Sequence, residues 1–361
     1  MRSRPLALAT ALSLGTLATP AADRGHGQQA DQGFSFRSGV NLISVTATVT
    51  DEHGRFVPNL RAEDFAVYED GRPQTISQFE AERVPVSLGI ALDTSGSMAG
   101  DKIAAARAAL DRFLFDLLGP QDEVFLFRFD TRPTLIQPWT DDRRAVSHAL
   151  GSARPAGGTA VYDTVAEAVP LAESGTRRKK ALVVISDGND TSSRTRLPAL
   201  QRLIRETEVL VYAIGIDASG DSSRAYAASS ASTTTGPTGG DPAGPRPVPT
   251  AFPGQKPVVT KTTTPPPPPS PAPRRPAPSG SSDRVNADAL RAITDDSGGR
   301  TEIIVSARDL DPATAGIADE LSRQYFIGYV SSVPKDGRWH TIEVRVRGNY
   351  TVRARRGFVA N

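Results

Sequence analysis

Val84-Pro85-Val86-Ser87-Leu88-Gly89-Ile90-Ala91-Leu92-Asp93-Thr94-Ser95-Gly96-Ser97 is the stretch on which the fold turns. Its first nine residues are apolar without alternation, the pattern of a strand buried on both faces. The alanine-rich segment Ile103 to Leu118 that follows reads as the crossover helix of a parallel sheet. The Asp93 carboxylate and the Ser95 and Ser97 hydroxyls therefore gather at the carboxyl end of a central strand, where open α/β sheets place their ligands. All three donors are oxygens and only one is charged. That set suits a hard divalent cation such as Mg2+ or Mn2+ better than zinc or copper.

Two later segments join the same site. Gly157-Gly158-Thr159-Ala160 opens a second helix and supplies a third hydroxyl, and Lys179 to Gly188 is another apolar strand ending in the carboxylate of Asp187. Together these pieces resemble the metal-ion-dependent adhesion site of von Willebrand factor type A domains. The pattern there is Asp-x-Ser-x-Ser, a distant Thr, and Asp-Gly after a strand. Asp93, Ser95, Ser97, Thr159 and Asp187 match it without substitution. The resemblance implies that Thr159 binds the cation directly and Asp187 binds it through water when the site holds a ligand. Neutral hydroxyls leave a cation electrophilic, while Asp93 orients them and metal-bound water through hydrogen bonds. A remaining coordination position then accepts a carboxylate from another molecule. Two weaker candidates lie nearby. Asp163 either reaches the site or meets the dipole of its helix, and Asn189 shapes the loop after Asp187.

Outward from this centre the chain alternates strand and helix. Strands are expected at 85–93, 123–129, 134–137, 181–187, 209–216 and 300–305, and helices at 101–118, 142–150, 160–173, 197–206, 286–295 and 311–322. The class is α/β, a doubly wound, mostly parallel sheet over residues 84–323. The short link Asp130-Thr131-Arg132-Pro133 makes the strand from Thr134 an antiparallel edge. Residues 218–284 interrupt the pattern. Sixteen of the 29 prolines fall between Pro237 and Pro278, so this insert has no means of forming a core and is expected to be disordered. It leaves the sheet on the metal face.

The flanks are β-rich. Residues 34–83 form an N-terminal β module in which Ile43, Val45, Ala47 and Val49 share one face, with strands near 64–68 and 75–79. Residues 324–361 return to β, with Ile342, Val344 and Val346 inward. Neither flank makes a core alone, so the two are expected to pair into one sandwich. Arg177-Arg178-Lys179-Lys180 reads as a solvated loop opposite the metal, and the arginines from Arg345 to Arg356 as mainly outward-facing. Residues 1–22 have the form of a secretory signal peptide, with Arg2 and Arg4 before an apolar stretch. No other segment has the length and apolarity of a transmembrane helix. The flanks are similar to those of exported acidobacterial proteins with this domain, which carry segments like Glu63 to Gly71 and Gln324 to Tyr329.

With 361 residues, a formal charge of +2 and no cysteine, the chain shows no electrostatic bias toward nucleic acid and has neither disulfides nor thiolate metal sites. It also has no Gly-x-Ser-x-Gly elbow and no Walker A loop, and its four histidines lie outside the metal motifs. The reading that follows is an exported, non-enzymatic binding module, periplasmic or extracellular. It would hold Mg2+ (or Mn2+ or Ca2+) and capture an acidic group on a protein partner. The alternatives are an envelope scaffold whose metal staples loops, and a metal-assisted hydrolase. Partner identity and oligomeric state are left open.

Overall fold

β5 (Val86–Asp93) has all eight of its residues buried. The structure is a computed structural model describing residues 41–187, 189–217 and 285–360. The signal-peptide and proline-rich-insert expectations lie outside those residues. β5 runs parallel to β6 (Glu123–Phe129) on one side and to β8 (Lys179–Ser186) on the other. β9 (Leu210–Ile216) and β10 (Thr301–Ile304) continue the sheet beyond β8. β7 (Pro133–Thr140) closes the opposite edge antiparallel to β6, as the short link before it requires. The order is β10-β9-β8-β5-β6-β7, so the chain reverses its direction of travel across the sheet between β5 and β8.

Helices cover both faces. On one, α1 (Asp101–Arg112), α2 (Arg143–Ser152) and α6 (Leu310–Arg323) set Ile103, Leu110, Val146 and Ile317 against Leu88, Ile90 and Leu92. On the other, α3 (Val161–Glu173), α4 (Leu197–Arg205) and α5 (Ala287–Thr294) set Val165, Leu200 and Leu290 against Phe125, Phe127 and Val184. Each such side chain contributes about 1.5–3 kcal/mol by leaving water. Gly89 has a packing reason, since a Cβ there would lie 2.3 Å from the Phe125 ring. α1 is shorter than its apolar pattern implies, because Phe113–Leu117 widens into a π-helical turn.

The two flanks build both remaining sheets together. Their strands are β1 (Leu42–Thr50), β2 (Phe65–Glu69), β3 (Arg72–Gln74) and β4 (Ile76–Glu80), then β11 (Tyr325–Val330), β12 (Trp339–Val346), β13 (Thr351–Arg353) and β14 (Gly357–Val359). The orders are β13-β1-β11-β4 and β14-β12-β2-β3, and Val45, Ala47, Val67, Ile327 and Ile342 belong to one core between them.

Four details differ from the sequence reading. β2 turns through Asp70 and Gly71, both at positive φ as a tight hairpin demands, but the hairpin partner is only the short β3, while β12 takes the other side of β2. Pro73 has no N–H to extend that ladder, and the chain crosses at Thr75 so that β4 pairs with β11 in the other sheet. The segment 350–358 likewise splits into β13 and β14, one in each sheet. Arg177 to Lys180 is not a solvated loop, because the sandwich packs on that end of the sheet. Arg178 pairs with Glu80, and Lys179 begins β8 at 1% exposure, donating to the Leu321 carbonyl at 2.7 Å. Arg355 is buried rather than outward, with its guanidinium directed to Glu208.

Candidate metal centre

The reversal between β5 and β8 opens a crevice at their carboxyl ends, and the expected ligands sit there. Asp93 is fully buried. Its carboxylate accepts the Ser95 N–H at 2.7 Å, closing a tight turn, and the Ser186 hydroxyl at 2.5 Å from the neighbouring strand. The Ser95 and Ser97 hydroxyls are 3.0 Å apart. Ser97 donates to Asp187 Oδ1 at 2.8 Å, and the Lys102 ammonium donates to Asp187 Oδ2. One continuous hydrogen-bonded chain thus runs Asp93, Ser95, Ser97, Asp187, joined to Asp93 through the Ser95 N–H. Burial pushes the Asp93 carboxyl up to about 6, against the hydrogen bonds from Ser186 and Ser95 and with a further push from Asp187.

The loop carrying Thr159 docks on this chain through backbone bonds, Ala156 N–H to Thr94 O at 2.8 Å and Gly96 N–H to Gly157 O at 3.1 Å. Thr159 is buried and fixed from behind, since its N–H donates to Thr191 Oγ1 at 3.0 Å and its carbonyl accepts the Thr191 N–H at 2.8 Å. Thr94 holds the floor by donating both its N–H and its hydroxyl to Phe129 O. The two weaker candidates do other work. Asp163 accepts the N–H groups of Arg194 and Thr195, at 2.8 Å for Thr195, and so braces the loop after β8. Partial burial raises its carboxyl, but those hydrogen bonds outweigh it and hold the group below its usual value. Asn189 does not join the oxygen chain, and its amide oxygen is buried without a hydrogen-bond partner among the described residues.

Sequence reasoning missed Ser186 and Lys102. Strand alternation turns Ser186 away from Asp187, yet this is what brings it to Asp93 across the β5–β8 pair. Lys102 lies in the first turn of α1, one helical turn or so beyond Ser97, and its charge next to Asp101 resembles an ordinary solvated helix start.

The donor set fits a hard divalent cation. The five expected ligands all offer oxygen, with the two carboxylates buried and the three hydroxyls neutral. Among the described residues no cluster of three or more His, Cys, Asp or Glu side chains has metal-binding geometry, so any cation here depends on the hydroxyls. An open groove of about 690 Å³ runs beside the Thr159 loop, lined by Thr131, Arg132, Asp163, Glu167, Ser192 and Arg194.

A sequence profile described as von Willebrand factor type A domain matches residues 88–189, which hold all five expected ligands. The chain contains a von Willebrand factor type A domain. Such domains are typically protein-interaction modules. Human inter-alpha-trypsin inhibitor heavy chain H4 is 31% identical over 136 residues, 34% of this chain and 14% of that protein. The mouse inter alpha-trypsin inhibitor heavy chain 4 is 26% identical over 206 residues, and this chain covers 22% of it. The chain thus spans less than a quarter of the length of these curated relatives. A solved von Willebrand factor type A structure from Catenulispora acidiphila aligns over 90% of this chain and 75% of its own, at 13% identity and a TM-score of 0.45. Among the described residues no helix is long and apolar enough to cross a membrane.

Proposed function

We propose that this chain is an exported, non-enzymatic binding module. Its von Willebrand factor type A domain would hold Mg2+, or Mn2+ or Ca2+ in its place, with Asp93, Ser95, Ser97, Thr159 and Asp187. The cation would supply an electrophilic position for a carboxylate on a protein partner. The observation that carries this reading is the continuous hydrogen-bonded chain from Asp93 to Asp187, closed over by the Thr159 loop at the sheet's reversal point.

This chain's residues divide the work. Asp93 and Ser186 fix the turn that presents Ser95 and Ser97, and Thr191 fixes Thr159 from the far side. Among the described residues no histidine offers a proton-transfer group to this crevice. His53 lies in the turn after β1 and His148 on α2, while both ring nitrogens of His340 bond to Asp70 and Asp336 in the sandwich.

The test is a calorimetric titration of Mg2+ and Mn2+ into the protein beside Asp93→Ala and Asp187→Ala. One-site saturable binding lost in both variants, with unchanged circular dichroism, is the expected result. Absence of binding in the unsubstituted protein, or equal binding in all three, refutes the proposal.

A further inference from the structure

We propose that Lys102 is a tethered competitor of the divalent cation, holding Asp187 through its ammonium and surrendering it when the cation binds. This rests on the metal-centre reading above. The Asp187 side chain is fully buried and both of its oxygens are engaged, one by the Ser97 hydroxyl and the other by the Lys102 ammonium. Lys102 reaches this carboxylate from the rim, with 23% of its side chain exposed. It is the only cationic side chain hydrogen-bonded to the oxygen chain among the described residues.

A buried carboxylate left without a counter-charge is strongly destabilising, and a second buried carboxylate, Asp93, lies at the other end of the same chain of hydroxyls. The ammonium offsets that cost. It does so at the carboxylate that a cation among Ser95, Ser97 and Thr159 would also need. Two positive groups at one small carboxylate repel in a site of low dielectric, so the two occupancies exclude each other. The exchange needs no backbone movement. Ile103, Ala106 and Leu110 hold α1 in the core, and the lysine stem is long enough to swing its ammonium to solvent. Ser97 takes part as well, because its hydroxyl donates to Asp187 here and has to turn its lone pairs toward a cation.

Two consequences follow. Cation affinity is set below what the oxygens alone would give, since binding includes breaking the Lys102–Asp187 pair. The fold is also protected when cation is scarce, because the carboxylate never stands unpaired.

The experiment compares Mg2+ titrations of the full chain carrying Lys102, Lys102→Met, Lys102→Gln or Lys102→Arg, each also melted in EDTA and in saturating Mg2+. The neutral variants should bind Mg2+ at least tenfold more tightly, about 1.4 kcal/mol. The arginine variant should stay within about threefold of the parent. In EDTA the neutral variants should melt below the parent, and saturating Mg2+ should close or reverse that gap. The glutamine keeps a hydrogen bond to Asp187 and serves if the methionine variant does not fold. Equal Mg2+ affinity in parent and neutral variants overturns the competition while leaving the metal centre standing. Weaker binding in the neutral variants also overturns it, making Lys102 a supporting group. No binding by any of the proteins overturns both this inference and the metal-centre reading.

Discussion

Raising the pH from 7 to 10 should stabilise this protein, against the usual trend, because of Lys179. The residue is 1% exposed at the start of β8, and burial lowers its ammonium to about 8 from the 10.5 of a free lysine, with Arg83 adding to the fall and Asp122 and Glu320 opposing it. Between those values the unfolded chain binds more protons than the folded one, so stability rises with pH. A folded value near 8 against an unfolded value of 10.5 gives a gain of about 2.5 kcal/mol between pH 7 and pH 10. The neutral amine keeps its hydrogen bond to Leu321 O at 2.7 Å, so the packing survives deprotonation. Tyr212 and Tyr329, both raised by burial, limit the window from above. Each stays neutral in the fold while its unfolded counterpart ionises, which offsets part of the gain and turns the slope over as the pH reaches 10. Without cysteine in the chain, no thiol titrates in this range. Urea unfolding at pH 7, 8, 9 and 10 measures the effect, and Lys179→Met should abolish the rise. A flat profile in the parent protein, or the same rise in the methionine variant, refutes the argument.

Two further outcomes can be checked the same way. Gly299→Ala should cost about 3 kcal/mol, since its Cβ would lie 2.0 Å from the Val211 carbonyl oxygen and backbone cannot yield as a side-chain tip does; a loss under about 1 kcal/mol would show that the strand shifts freely. His340 is raised above 6.5 by its hydrogen bond to Asp70, opposed by slight burial and helped by Asp336. That contribution is present below pH 6.5 and fades as pH climbs through the folded value, so thermal melts should show the loss in the parent and not in His340→Asn.

The doubly wound sheet was legible because its strands are buried on both faces, and Leu88 to Leu92 permit no other placement. The candidate site residues were legible as a spacing, and four of the five, Asp93, Ser95, Ser97 and Asp187, lie in one hydrogen-bonded chain. What escaped depends on partners far away in the sequence. Lys179 and Arg355 look like surface charges until the sandwich is set against the end of the sheet, where Leu321 O and Glu208 receive them. The crossing at Thr75 is hidden because Ile76 to Glu80 would alternate equally well in either sheet, and only β11 decides. Lys102 escaped because a lysine in the first turn of a helix is ordinary, and only the fold brings Asp187 to it.

The interleaving of the two flanks also imposes an order in time. β1 takes its ladder partners from β11 and β13, so Leu42 meets Val330 from a position on the order of 300 residues earlier. At ribosomal speeds of about 5–20 residues per second, tens of seconds pass before that partner exists. Throughout that interval the apolar row Ile43, Val45, Ala47 and Val49 is an unpaired edge able to join the wrong strand. The central sheet has no such wait, because β5 to β9 follow one another closely. Nascent chains should therefore hold the β5 to β9 part of the sheet long before β10 joins it or a sandwich forms, and the waiting strand is where a chaperone would be needed most.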